Sequence, residues 1–551
     1  MPVRTFKEVV GNLFLTNKLS ALHVHSLAAS ESSEGAQCSK DLAKAGAGGK
    51  HPQNFHRDIL RGLLKDAKWP REYYAEIPIK NDKGEMELVL FPFLLPHEVF
   101  RHLLKANGLR MRDFLCQENT ELAELVKEFC AKFQVDPLEI LAIGLHGDGA
   151  PFAAKMRDSL EQLSWSFVSD PGSSRIVFTA VPKSGVGDGT FNAIFEVFAW
   201  SMRCLLLGVM PSVRHDGTPF VSSDDSERKT WAGETLLMKA ALLQVRGDWA
   251  FYKSTFNFAG WSSELICWLC SATKSRGSRF DYRQCGKEAN WKFSRYAPGD
   301  FEAMLREKGQ LSTIFKTPGL LVKHFLIDWL HAVDLGVSQS IIGNVLWEIL
   351  DLYPGANRGD KLKMLWEELK NYYREYKPPS KLDGLTIEML KLPGKGPKLR
   401  SKAAECRYLL PFAALMAEKY NDGSPHRSTV MHVIKNLLEV SLCLSESPYD
   451  SNRATMACRR CCLLYVQLEE AALSTGDSLS WRVKPKLHMF QELIEFVSPE
   501  FGNPRHFWTY KDESWGGFLS AMATRRGGPK FAATTALNLL RRYRCCVTDE
   551  L

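Results

Sequence analysis

No apolar run in this sequence reaches the roughly 18 residues that a membrane span needs. The longest, 194–210, is interrupted by Glu196 and Arg203. The first residues, through Leu22, hold no long apolar core followed by a small-residue cleavage site, so no secretory leader is expected. The 14 cysteines lack the even spacing of a disulfide framework, which points to a reducing compartment. No unit of roughly 20 to 50 residues repeats, which excludes solenoids and propellers. Excess charge is scarce too: a net +8 over 551 residues permits a polyanionic partner without demanding one. The expectation is a soluble protein of the nucleus or cytoplasm, with no membrane partner.

What is present is ordinary globular material, 45% hydrophobic and 24% charged, long enough for about two to four structural units. Residues 1–49 end in SESSEGAQCSKDLAKAGAGG, too polar and small to offset chain entropy, and are expected to be a disordered arm. Residues 50–136 read as a helical region, with one extended segment at ELVLFPFLL. From 137 to 300 the texture is that of an α/β core. LEILAIGLHGDGAPF reads as a buried strand ending in a Gly-Asp-Gly turn, SWSFV and RIVFTAV as neighbouring strands, 191–207 as an apolar helix, and LLQVRGD as a further strand. Residues 301–480 read as a helical insertion, and 481–551 return to the core.

Several side chains stand where chemistry is expected. Asp148 and Asp248 end two apolar strands, where carboxylates can share a hard cation; each can equally be a turn or surface acid. Asp512 and Glu513 open a helix, a position that favours acids by the helix dipole alone. Cys267 and Cys270 have the CxxC spacing of two zinc thiolates, or are two core thiols; Cys285, His324 and His331 are the loose candidates for completing such a site. Asp328 and His331 lie one helical turn apart, suited to a metal, a phosphate or a structural pair. Lys391, Lys395, Lys398, Arg400 and Lys402 fill a loop without an acid, with Arg525 and Arg526 as further basic residues; they read as phosphate contacts or as solvated surface.

HGDGAPF (146–152), GDWAFYKSTFNFAGWSSELICWLC (247–270), DWLHAVDLG (328–336) and KPKLH (484–488) resemble, in that order, the transposases of CACTA-type cut-and-paste elements. The resemblance covers about residues 140–530. It implies an RNase H-like mixed sheet with a large all-helical insertion, and a catalytic triad of Asp148, Asp248 and Glu513, with Asp512 competing for the third place. It further implies two Mg2+ or Mn2+ ions for hydrolysis and strand transfer at DNA phosphodiesters; the CxxC spacing itself allows Zn2+ on Cys267 and Cys270 with His331 as a further ligand, or two core thiols. The partners implied are DNA, as element terminal repeats and target, and further copies of the chain; the location implied is the nucleus. The sequence shows no N-terminal zinc finger or helix-turn-helix. That departure keeps a second expectation alongside the first: a catalytically silent, domesticated DNA-binding or scaffold protein of the same descent.

Overall fold

The computed structural model describes residues 5–35, 39–47, 54–117, 120–152, 158–170, 172, 174–221, 223–524 and 531–547. The chain is mixed α/β, mostly helical, with a small mixed sheet. Its strands are β1 (Tyr73–Lys80), β2 (Met86–Phe93), β3 (Ile140–Pro151), β4 (Ser159–Phe167), β5 (Ile176–Pro182) and β6 (Lys239–Arg246). β1 and β2 pair as a hairpin, and the other four form one sheet in the order β5-β4-β3-β6. Within it β3, β4 and β5 are antiparallel neighbours, whereas β6 runs parallel to β3. A parallel neighbour requires a crossover, and the helix Thr190–Leu207 lies in it, packed against β6. The first eight residues of β3 are all buried. Elements cover both its faces, which is why its sequence is a continuous apolar run rather than an alternating one.

The expected Gly-Asp-Gly turn is a strand instead. β3 continues through it, with Gly147 opposite Leu163, Asp148 opposite Gln162 and Gly149 opposite Glu161. The glycines serve close approach. A Cβ at Gly147 would lie 2.0 Å from the Phe251 ring, and one at Gly247 would lie 2.8 Å from the Gly147 carbonyl oxygen. Asp148 and Asp248 therefore each follow a glycine that lets the ends of β3 and β6 come together. Gly147→Ala is expected to destabilise the protein by about 1–3 kcal/mol through overpacking. A denaturant titration checks this; an unchanged midpoint would mean that the Phe251 ring moves aside freely.

The N-terminal arm also departs from expectation. Phe6–Leu15, Ala21–Ser33 and Lys40–Ala43 are helices, the first closed by a Thr5/Glu8 capping box. They bury Val10, Phe14, Leu15, Val24, Ala28 and Leu42 with Ile59 and Leu60 in a small core of their own. Asn17 accepts a hydrogen bond from Arg542 (2.7 Å), which ties this region to the far end of the chain. Arg525 and Arg526 lie outside the described residues. Residues 50–136 are less helical than expected, because they carry the β1–β2 hairpin, joined to β5 by Leu94 N–H donating to Phe178 O (2.9 Å). Among the described residues 301–480 are helical and loop structure without a named strand. The apolar core runs on from the sheet into this insertion without a break.

Candidate functional site

Three stretches far apart in sequence meet at the open end of β3. Asp148 lies on the strand itself, half-buried. Asp248 follows β6 and caps the helix Trp249–Phe256, accepting from Phe251 N–H at 2.6 Å. The helix Tyr510–Ala523 packs across β3 and brings Glu513 beside Asp148. Burial pushes the Glu513 carboxyl up, and the Asp148 charge adds to it against the pull of His331, so it titrates at about 8.

Asp512, the competing third acid, points the other way. Arg175 holds it in a fork, Nε to Oδ1 at 2.9 Å and Nη2 to Oδ2 at 3.2 Å, and Arg246 Nη2 stands 3.6 Å from Oδ1. Burial opposes its ionisation, but Arg246, His146 and Arg175 outweigh burial and hold it well below the usual carboxylate range. Asp512 thus anchors the helix to the sheet through two buried cations, and Glu513 faces the acids.

The insertion contributes to this site. Asp328 and His331 stand at the start of a wide π-helical turn, Leu330–Ser338, a conformation that recurs at functional sites. Asp328 Oδ2 accepts from His331 Nδ1 and from its backbone N–H, both at 2.8 Å, while Oδ1 accepts from Thr509 N–H at 2.9 Å. His331 Nε2 lies 3.6 Å from Glu513 Oε1. Burial alone would lower the imidazole; the hydrogen bond and charge of Asp328, with Glu513 and Asp248, overcome it and raise it to about 9. His331 is therefore a cation held against the acid cluster.

That corrects its expected role beside the cysteines. The histidine that meets them is His488, whose Nε2 is 3.5 Å from Cys270 Sγ. The ligand atoms of Cys267, Cys270 and His488 all lie within 4.8 Å of one another, and all three residues are buried. Leu269 N–H donates to Cys267 Sγ at 3.3 Å. Burial opposes a thiolate, but the Cys270 S–H, His488 and this N–H converge on Cys267 and hold it well below an ordinary thiol, whereas Cys270 is raised. One helical turn beyond His488, Glu492 keeps a buried Oε2 without a hydrogen bond; burial and the Cys267 charge push it up to about 7. The other loose candidates are engaged elsewhere: Cys285 faces Cys462, and His324 Nδ1 accepts from Leu321 N–H at 2.9 Å. His488 stands in KPKLH, but sequence distance alone could not pair it with cysteines more than two hundred residues earlier.

The basic loop is divided. Its backbone at Lys398 and Leu399 lies flush on the helix Gln339–Leu350, where a Cβ at Gly343 would come within 2.5 Å of it. Lys398 turns inward to a cavity beside Asp248, while Lys391 lies over the Trp347 ring (5.1 Å) and Arg400 donates to Glu388 O (3.1 Å). Lys395 and Lys402 are exposed.

The paired carboxyls of Asp148 and Glu513 have the chemistry a hard divalent cation takes, oxygen donors with Glu513 Oε1 buried and without a hydrogen bond, although as the side chains stand the carboxylates of Asp148, Asp248 and Glu513 do not all lie within 4.8 Å of one another. In metal-free protein this crowding has a pH signature. The Glu513 carboxyl, ordinarily near 4.5, holds its proton to about 8 when folded, so the folded form binds more protons than the unfolded chain between those values. Stability should fall as pH rises through that window, and Glu513→Gln should flatten the fall. Denaturant midpoints measured in EDTA across the window check this; equal slopes for the two proteins would contradict it. His331 acts further up, its contribution being present below 6.5 and lost as pH rises through about 9.

No protein-family model matches the chain, and no curated protein matches it.

Proposed function

We propose that the protein is a metal-dependent DNA strand-cleaving and strand-joining protein of the RNase H-like transposase type. The observation that carries this reading is that the helix bearing Glu513 packs across β3 beside Asp148, while Asp248 stands just past the neighbouring end of β6 and near His331. The sheet supports it as well. Three antiparallel strands are followed by a fourth parallel to β3, with one acid on β3, one just past β6 and the third on a helix laid across β3. That arrangement suits an RNase H-like core.

Asp148, Asp248 and Glu513 would hold the divalent ions. Bound by these carboxylates, Mg2+ or Mn2+ would supply Lewis-acid activation of a water or 3′-hydroxyl and charge stabilisation of the leaving oxygen. His331, kept protonated and oriented by Asp328, presents its Nε2–H beside Glu513, where it can donate to a non-bridging phosphate oxygen. The glycines before Asp148 and Asp248 keep bulk away from the approach, and the Arg175/Asp512 fork fixes the helix that carries Glu513. The test is Mn2+-dependent nicking of supercoiled DNA by the purified protein; its absence at any divalent ion would favour a silent DNA-binding descendant.

Cys267, Cys270 and His488 would hold a structural Zn2+. About one zinc per chain is expected by elemental analysis, lost in Cys270→Ala and His488→Ala. Because metal and fold are coupled, chelation should lower the melting temperature. Zinc-free protein with unchanged melting after chelation would leave the cysteines as core thiols.

A further inference from the structure

Segments from the two ends of the chain meet around a pair of adjoining cavities, of about 410 and 420 Å³, that share Leu64, Lys65, Arg71 and Arg544. The first is lined by Arg61, Lys65, Arg71, Arg541 and Arg544 with Glu72 as its single carboxylate, and the second adds Lys68 and Arg101 with Glu227. Together the walls set seven Lys and Arg against two acids, a net +5 in a chain whose whole excess is +8. These cations come from separate elements. Arg61 lies in the last turn of the helix Phe55–Leu64 and Lys65 just past it, Arg71 precedes β1, and Arg541 and Arg544 lie on the helix Ala532–Cys546. Arg544 is buried and donates to Glu72 Oε1 at 2.9 Å and to Trp69 O at 3.0 Å, while its Nε has no hydrogen bond. Glu72 is thereby engaged, and Arg541 Nε stands only at 3.9 Å from it; Arg101 is engaged by Glu234 at 2.6 Å. Among the described residues no carboxylate lies within ion-pair distance of Arg61, Lys65 or Arg71.

Cations gathered at one concavity repel one another unless an anion answers them, and the carboxylate nearest to them already belongs to Arg544. Arg61 and Lys65 flank a helix C-terminus and complement its dipole, but Arg71 and Arg541 stand on other elements without that partner. The walls offer a base no platform: Trp69 is buried, and the Arg101 guanidinium covers the Trp231 ring at 4.3 Å. A nucleotide or single strand would therefore gain phosphate contacts there and no stacking. A duplex carries its phosphates in line along the helix, whereas these cations are drawn from three elements to one hollow. We infer that the paired cavities bind a compact polyphosphate, an anion with several phosphates and no base to stack, held by Arg61, Lys65, Arg71 and Arg541. Its contacts come from both ends of the chain, so the bound anion also braces the small N-terminal core against the last helix. This site goes beyond the acid chemistry and does not depend on it.

The experiment titrates the full-length protein by calorimetry with inositol hexakisphosphate as the probe, without added divalent ions, and repeats the titration with inorganic phosphate and with a short DNA duplex at equal phosphate concentration. One hexakisphosphate per chain should bind, more tightly than either comparison, and should raise the melting temperature as a ligand of the folded state does. Arg61→Ala and Arg71→Ala, at exposed positions that should fold normally, should each weaken this binding by roughly tenfold, the scale of one charge-assisted contact. Lys308→Ala, at an exposed lysine elsewhere, should leave it unchanged. Absence of hexakisphosphate binding, or binding that Arg61→Ala and Arg71→Ala leave intact, overturns the site. Duplex binding as tight as hexakisphosphate binding, and weakened by the same two substitutions, assigns the cations to a DNA backbone and overturns the polyphosphate. An unchanged melting temperature at saturating hexakisphosphate overturns the bracing of the two chain ends.

Discussion

Asp248→Asn is expected to reduce divalent-metal-dependent cleavage of DNA by roughly a thousandfold or more, the scale of losing several kcal/mol of metal-borne stabilisation of the transition state. The substitution is nearly isosteric. Its amide oxygen can still accept from Phe251 N–H, so the helix Trp249–Phe256 keeps its cap and the fold should be undisturbed. What is lost is negative charge at a point where His331 and the lysines of the cavity beside Asp248 already supply an excess of positive charge. Supercoiled-plasmid nicking in Mn2+, with circular dichroism of the same preparation, reads both halves of the expectation. Cleavage at the wild-type rate by folded Asp248→Asn protein would remove Asp248 from the chemistry.

Asp512→Ala should behave in the opposite way, failing first in stability. Asp512 is buried between Arg175 and Arg246, themselves buried. Arg246 keeps Ser166 Oγ (2.7 Å), but neither arginine would retain its carboxylate. Removing one partner of a buried ion pair costs about 3–5 kcal/mol, because the surviving charge is left uncompensated away from water. The helix Tyr510–Ala523 would also lose its anchor to the sheet, so Glu513 would be misplaced. Chemical denaturation should show the loss in Asp512→Ala and little of it in Glu513→Gln, whose side chain is half-exposed. Similar stabilities for Asp512→Ala and the wild type would mean that the fork is not what holds the helix.

How much could be seen beforehand differs from element to element, for physical reasons. β3 and β6 are legible as apolar runs because strands covered on both faces need little polar alternation, whereas β4 and β5 are legible as short alternating runs. Asp248 is legible as the acid just past a strand, whereas Asp148 lies within β3, three residues short of its end. The Gly-Asp-Gly segment misled, because local turn propensity gave way to a tertiary demand, the Phe251 ring lying over Gly147. The first 49 residues misled because composition does not reveal a distant partner: their helices close against Ile59 and Leu60 and reach Arg542 near the other end of the chain. Asp512 and Glu513 are adjacent and chemically alike. Only the placement of Arg175 and Arg246 separates them, and that is set by β5 and β6. His331 stands among the candidates for the cysteine site in place of His488 for a similar reason, since each histidine is defined by what lies opposite it, Asp328 in one case and Cys270 in the other. The lysines of KPKLH carried no signal of their own until the cavity beside Asp248 placed them beside Lys398.

The central claim is that Asp148, Asp248 and Glu513 are one cation site. Titration of the protein with Mn2+, followed by electron paramagnetic resonance of the free ion, tests it most directly. Wild-type protein should take up Mn2+ at this site, and Asp148→Asn, Asp248→Asn and Glu513→Gln should each weaken that uptake, because the three carboxylates act on the same ion or ion pair. Mn2+ uptake by Asp148→Asn or Glu513→Gln protein indistinguishable from wild type would contradict the account.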